Sequence, residues 1–128
     1  MTRWRQPALF VAVGTAAAAV HWGVAVAAVE HLGLAPGWAN VCGWLVALCV
    51  SFAGHWRLTF ADRPVHPWRA ARRFVVLSAS AFALNAAAYA LLLRWQVARY
   101  DVALAFVLLA VAILSFLANR HWAFARAS

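Results

Sequence analysis

The sequence predicts an all-α, polytopic membrane protein: four transmembrane helices built as two tandem, parallel helical-hairpin repeats. Three observations carry that prediction. The 128 residues are 67% hydrophobic and only 11% charged, with a mean hydropathy of +0.79. Four separate apolar runs take up most of the chain, and the second half repeats the aromatic landmarks of the first at one fixed offset. A soluble domain of this size has too high a surface-to-volume ratio to hide so much apolar surface. Lipid is therefore the solvent for most of it.

The apolar runs cover approximately residues 8–29, 38–56, 74–93 and 102–118. Each is about 17–22 residues long, close to the ~20 that an α-helix needs to cross a ~30 Å hydrocarbon core. They are apolar all round rather than on alternate residues, which excludes barrel strands. The first run follows Arg3 and Arg5, and Ala25-Val26-Ala27 resembles a signal-peptide cleavage site. The run is too long for a signal core, however, and it has a partner later in the chain, so it reads as a span. Pro36-Gly37 turns the first hairpin, and the stretch from Gln96 to Asp101 turns the second.

Eleven arginines and no lysine stand against Glu30, Asp62 and Asp101, a net charge of +8. In a soluble protein that balance suggests nucleic acid. Here the arginines lie between apolar runs, so they point to anionic membrane lipids or a phosphate, and no nucleic-acid partner is expected. Nine of them (Arg3, Arg5, Arg57, Arg63, Arg69, Arg72, Arg73, Arg120 and Arg126) fall at the two termini and the central loop, whereas Arg94 and Arg99 alone fall in the other loops. The positive-inside rule then predicts a multi-pass protein of the cytoplasmic (inner) membrane with both termini and the central loop cytoplasmic. Trp4, Trp56, Trp68 and Trp122 fit an inner aromatic belt, and Trp38 and Trp95 an outer one. Cys42 and Cys49 have no histidine or carboxylate at ligand spacing around them and read as packing residues. Neither a metal nor a cofactor is expected.

Sliding the chain by 64 residues superimposes Trp4-Arg5 on Trp68-Arg69, Phe10-Val11 on Phe74-Val75, Ser51-Phe52 on Ser115-Phe116, and Phe60-Ala61 on Phe124-Ala125. One membrane domain, 1–128, thus divides into repeat one (1–64) and repeat two (65–128). Both repeats begin on the same side, which predicts a pseudo-two-fold axis along the membrane normal. Between them Ala61-Asp62-Arg63-Pro64-Val65-His66-Pro67 reads as a linker. It leads into Trp68-Arg69-Ala70-Ala71-Arg72-Arg73-Phe74, an interfacial helix start.

The second and fourth runs end in Ser51-Phe52-Ala53-Gly54-His55-Trp56-Arg57-Leu58-Thr59-Phe60 and Ser115-Phe116-Leu117-Ala118-Asn119-Arg120-His121-Trp122-Ala123-Phe124. With Phe10-Val11-Ala12-Val13-Gly14 and Ala39-Asn40 at the openings of the first and second runs, this resembles the GtrA-like family, whose hairpins end in Phe-x-x-Asn-Arg-x-Trp-x-Phe. The second copy carries the whole pattern in Phe116, Asn119, Arg120, Trp122 and Phe124. The first copy departs from it: His55 replaces Asn, Trp56 replaces Arg, Leu58 replaces Trp, and Arg57 offers a cation one position later. The resemblance covers essentially the whole chain. It implies a non-enzymatic role in cell-envelope polysaccharide biosynthesis, the translocation (flipping) of a polyprenyl-phosphate sugar across the membrane, with a glycosyltransferase as a further partner.

The residues themselves are compatible with that implication. An arginine fork at headgroup depth grips a phosphodiester bidentately, Asn donates to a phosphate or sugar hydroxyl, and Trp offers a face to a pyranose. The substrate-binding candidates are accordingly Asn119, Arg120 and Trp122 in the second copy and His55, Trp56 and Arg57 in the first, with Arg73 ahead of the third run. The bland alternative is interfacial anchoring, which suits Trp122 and Phe124 best. His21 and Asn85 are equivalent under the 64-residue shift. They form either a mid-depth polar site or interhelical hydrogen bonds. Asn40 is either a cap of the second helix or an exit-side contact. Four short helices enclose little volume, so a homodimer is expected. Two other functions compete: a non-transporting anchor that recruits a glycosyltransferase, and a small multidrug exporter. The exporter needs a buried carboxylate, and the acidic residues here lie at or beyond the edges of the apolar runs. No nucleophile–base pair or carboxylate pair is present to make an enzyme.

Overall fold

A computed structural model describes residues 5–59 and 66–125, with the side chains of 6, 59, 67, 70, 116 and 118–125 outside the description. Four helices follow one another: α1 (Arg5–Leu32), α2 (Pro36–Gly54), which continues as a π-helical turn (His55–Thr59), α3 (Pro67–Arg94) and α4 (Tyr100–Ala125). Among the described residues there is no strand. Every helix outruns its apolar run, because the arginines and tryptophans at the ends are adequate helix formers whose long side chains reach the interface. The basic stretch from Trp68 is a helix start, as its sequence suggests, and forms the opening of α3.

The boundaries have local causes. Gly33 takes φ +68°, the left-handed conformation that ends a helix. Beyond it the Leu34 N–H returns to the Ala28 carbonyl at 3.2 Å. Ala35 is extended and Pro36 opens α2 at a position where its missing N–H is not needed. At the head of α3, His66 Nδ1 accepts the Trp68 N–H at 3.3 Å. The end of α3 is a Schellman motif with Gln96 at φ 53°, where Gln96 N–H bonds the Leu93 carbonyl and Val97 N–H the Leu92 carbonyl, both at 3.2 Å.

Pro7–Leu32, Pro36–Leu58 and Ala71–Arg94 are each long and apolar enough to cross a membrane. In α4 the apolar portion Tyr100–Ser115 is shorter, within a helix of 26 residues. This is an all-α membrane protein.

The chain forms two compact units, Met1–Ala79 and Ser80–Ser128. In the first, α1 buries Val13, Ala17, His21, Ala25 and Ala28, one stripe at three- and four-residue spacing. Against it α2 sets Ala39, Asn40, Gly43 and Ala47. Lipid tails are as apolar as leucine, so such helices associate by close packing of small residues rather than by hydrophobic burial. The approach is tight: a Cβ on Gly43 would meet the His21 carbonyl and, at 2.7 Å, its ring Cδ2, and one on Gly54 would meet Val13 Cγ1 at 2.8 Å. The Trp44 indole N–H donates to Ser78 Oγ at 2.9 Å, tying α2 to α3. Cys42 is half-buried and Cys49 exposed on the outer face of α2, so Cys49 is not a packing residue within the chain.

In the second unit the buried residues include Asn85 and Tyr89 on α3 and Ala103, Leu104 and Val107 on α4. Tyr89 O–H donates to the Tyr100 carbonyl at 3.1 Å. Arg99 Nε meets Asp101 Oδ1 at 3.3 Å, and the same carboxylate accepts the Val102 N–H at 2.9 Å in the first turn of α4.

Candidate functional site

The end of α2 is where charge, aromatic rings and irregular backbone coincide. Close packing of Gly54 on Val13 holds the chain against α1 just before the helix widens into its π turn. His55, the first residue of that turn, is buried. Its ring stacks on Phe10 with centroids 4.9 Å apart and meets Phe74 at 5.9 Å, tilted by 59°. Phe52 lies 5.6 Å from Phe74 and stacks on Trp56 at 6.1 Å. These rings pin together the start of α1, the end of α2 and the start of α3. Outside the cluster Arg57 and Arg73 are exposed and Trp56 is half-buried. The four candidates at this end therefore separate by position: two exposed guanidinium forks, one partly open indole, and one imidazole enclosed by phenylalanines.

His21, Asn40 and Asn85, in the apolar runs, are enclosed. His21 Nε2–H donates to Asn40 Oδ1 at 2.7 Å, and both side chains are buried. Asn40 does not cap α2, since the N-cap position belongs to Ala35 and Asn40 lies one turn inside the helix. Asn85 is buried in the second unit. Among the described residues no buried side-chain nitrogen or oxygen lacks a hydrogen-bond partner, as a low-dielectric surround demands. Asn119, Arg120 and Trp122 lie in the last part of α4, and their side chains are outside the described residues. No group of three His, Cys, Asp or Glu that could hold a metal occurs among the described residues.

Residues 9–124 match a family model described as GtrA/DPMS, transmembrane domain. The chain belongs to the GtrA/DPMS transmembrane-domain family. The matched range contains all four helices nearly in full, both hairpin ends, and every one of the candidate residues. No curated protein and no solved structure matches the chain. Three features of this GtrA/DPMS family member are not legible in its sequence: the π turn, the His21–Asn40 bond and the Phe10–His55–Phe74 stack. Phe10 and Phe74 are repeat equivalents, but nothing in their spacing shows that both close on one histidine.

Proposed function

We propose that this protein translocates a polyprenyl-phosphate sugar across the cytoplasmic membrane, without catalysing a reaction on it. The observation that carries this reading is the end of α2, where exposed Arg57 and Arg73 flank the ring cluster around buried His55 and a half-open Trp56. Membership of the GtrA/DPMS family supports it. In this reading the helix ends that carry Arg57, Arg73 and Arg120 face the cytoplasm and receive the lipid phosphate. Guanidinium forks suit that task better than ammonium groups, because they hold two phosphate oxygens at once and shed water more readily. Trp56 and Trp122 present rings to the sugar, Asn119 donates to a hydroxyl or phosphate, and His55 braces the helix end. His21, Asn40 and Asn85 supply polarity at depth while the polyprenyl tail stays in lipid. An anion moving outward down a negative-inside potential gains about 2.3 kcal/mol per charge per 100 mV. No nucleotide is needed to drive it.

The competing reading is an anchor that recruits a glycosyltransferase. The closed His21–Asn40 bond favours it, since a paired polar group offers less to a passing headgroup. Purified protein in proteoliposomes separates the two. Translocation predicts that a fluorescent short-chain polyprenyl-phosphate sugar becomes accessible to a membrane-impermeant reagent on the far side only when the protein is present. No acceleration over protein-free vesicles, with correctly folded protein, refutes transport by this chain alone.

A further inference from the structure

The opening of α3 carries charges that its own backbone does not favour. Its first two turns hold Arg69, Arg72 and Arg73, and the first turn has no acidic residue. A helix begins with unpaired N–H groups and the positive end of its dipole, so cations there are destabilising. Pro67 brings no N–H, and His66 Nδ1 accepts one of the remaining donors, the Trp68 N–H, at 3.3 Å. That uncharged acceptor offsets none of the three guanidinium charges.

The basic residues also share one side of the helix. Phe74 meets Phe52 and His55, and Ser78 accepts the Trp44 indole N–H, so this side of α3 faces the first hairpin. At about 100° of rotation per residue, Trp68, Arg69, Arg72 and Arg73 each stand roughly 100° or more from the direction midway between Phe74 and Ser78. All four are exposed. The apolar span Ala71–Arg94 begins among them, which sets the guanidinium groups at headgroup level with their stems along the acyl chains. One turn further on, Val76 points directly away from the hairpin and is exposed, with exposed Val75 and Leu77 on either side. The outward side of α3 thus runs from an indole and three guanidinium groups into bare aliphatic side chains. A phospholipid presents its headgroup and acyl chains in that order. An acidic protein segment matches the first part of this face and not the second.

We propose that the outward face of the α3 opening is a seat for anionic phospholipid of the adjacent leaflet, and that the first two turns stay helical through that contact. The lipid phosphates supply the negative charge that this helix end lacks, and Trp68 settles among the headgroups. A leaflet poor in anionic lipid loosens the turns that lead into Phe74, and so the contact of Phe74 with His55. The proposal goes beyond the translocation reading, which leaves Arg69 and Arg72 without a part.

The experiment is amide hydrogen exchange on the full chain in nanodiscs of phosphatidylcholine, alone or mixed with an equal amount of phosphatidylglycerol. Amides of residues 68–73 should exchange at least about tenfold more slowly in the anionic discs, each arginine contributing up to about fivefold. Those of residues 83–90 should not change, and they serve as the folding control for variants. High salt should weaken the protection. Arg69→Gln combined with Arg72→Gln should cut the difference between the lipids to the fivefold or less, roughly, that Arg73 alone supplies. In phosphatidylcholine the double variant should exchange no faster than the unmutated chain, because it removes cations from the positive end of the dipole. Equal exchange of the unmutated chain in the two lipids overturns the proposal, as does an undiminished lipid effect in the double variant. Protection by a soluble polyglutamate peptide in phosphatidylcholine discs, with none from phosphatidylglycerol, overturns it in favour of an acidic protein partner. Transport is not read here, so failure of the translocation reading leaves this result standing.

Discussion

His21 and Asn40 are joined across the first hairpin by a 2.7 Å hydrogen bond, imidazole N–H to amide oxygen, with both side chains buried. Polar groups within lipid must be paired inside the protein, and a bond between these two also sets the register of α1 against α2. The second hairpin has no such pair at the matching positions: Asn85 corresponds to His21, but Leu104 stands where Asn40 would be. Asn40→Leu should therefore yield a hairpin that still inserts but is weaker by about 1 kcal/mol, within the range of interhelical hydrogen bonds in membranes. A double-mutant cycle with His21→Leu, read by reversible unfolding in micelles, should return a coupling of that size. Zero coupling would leave the bond without a part in stability.

Gly43 gives a sharper prediction. A Cβ there runs into the backbone carbonyl of His21, which cannot rotate away as a side chain can. Gly43→Ala should force the helices apart, break the His21–Asn40 bond, and cost about 2 kcal/mol or more. Gly23→Ala on α1 is the control, because nothing lies within 4 Å of its added carbon. It should be neutral or slightly stabilising, as alanine is the better helix former. Thermal stability in detergent, followed by size-exclusion chromatography, distinguishes the two; equal melting of both variants would contradict the close approach.

What is legible in the sequence follows from what lipid enforces. An apolar run of spanning length can satisfy its own backbone only as a helix, so the apolar runs 8–29, 38–56 and 74–93 are enough to locate α1, α2 and α3. Their ends are harder to read. Trp68 and Arg72 are compatible with either interface or helix, and the left-handed turn after α3 uses Gln96 where glycine is the usual marker. His21 and Asn85 stand out as repeat equivalents, yet the partner of His21 is Asn40. Repetition compares positions that do the same task; antiparallel packing in a hairpin decides which positions touch. The depth of His21 on α1 matches that of Asn40 on the returning α2, and no periodicity within one helix contains that information. The π turn is hidden for a similar reason, since its inward contacts come from Phe10 and Phe74 on other helices.

Orientation is a separate expectation, resting on nine arginines against two. Residues 1–5, 57–73 and 120–128 should be cytoplasmic, and 30–37 and 94–101 on the opposite side. In a variant with Cys42 and Cys49 replaced by alanine, single cysteines at Ala71 and Gln96 report the two faces. Ala71 should react with an impermeant maleimide only after the membrane is opened, and Gln96 before. Labelling of both from one side would rule out the crossing of α3.

Arg120 offers the most direct test of the phosphate-receiving role. It stands near the end of α4, in the copy that carries the Asn-Arg-x-Trp pattern in full. If it grips a lipid phosphate through two parallel N–H donors, lysine is an imperfect replacement, because an ammonium keeps the charge and loses the fork. Arg120→Ala should abolish glycolipid translocation in proteoliposomes, or reduce it by about a hundredfold if the contact contributes the ~3 kcal/mol of a strong charge-assisted hydrogen bond. Arg120→Lys should leave partial activity. Both variants should insert normally, since four apolar helices dominate insertion and one interfacial arginine adds little. An anchoring arginine behaves differently: lysine snorkels as well, so Arg120→Lys would be fully active. Arg57→Ala in the otherwise unmutated chain should show a milder defect, because the first copy departs from the Asn-Arg-x-Trp pattern. Translocation by Arg120→Ala at the unmutated rate, with equal expression, would take Arg120 out of the site and leave α4 with an interfacial anchor in its place.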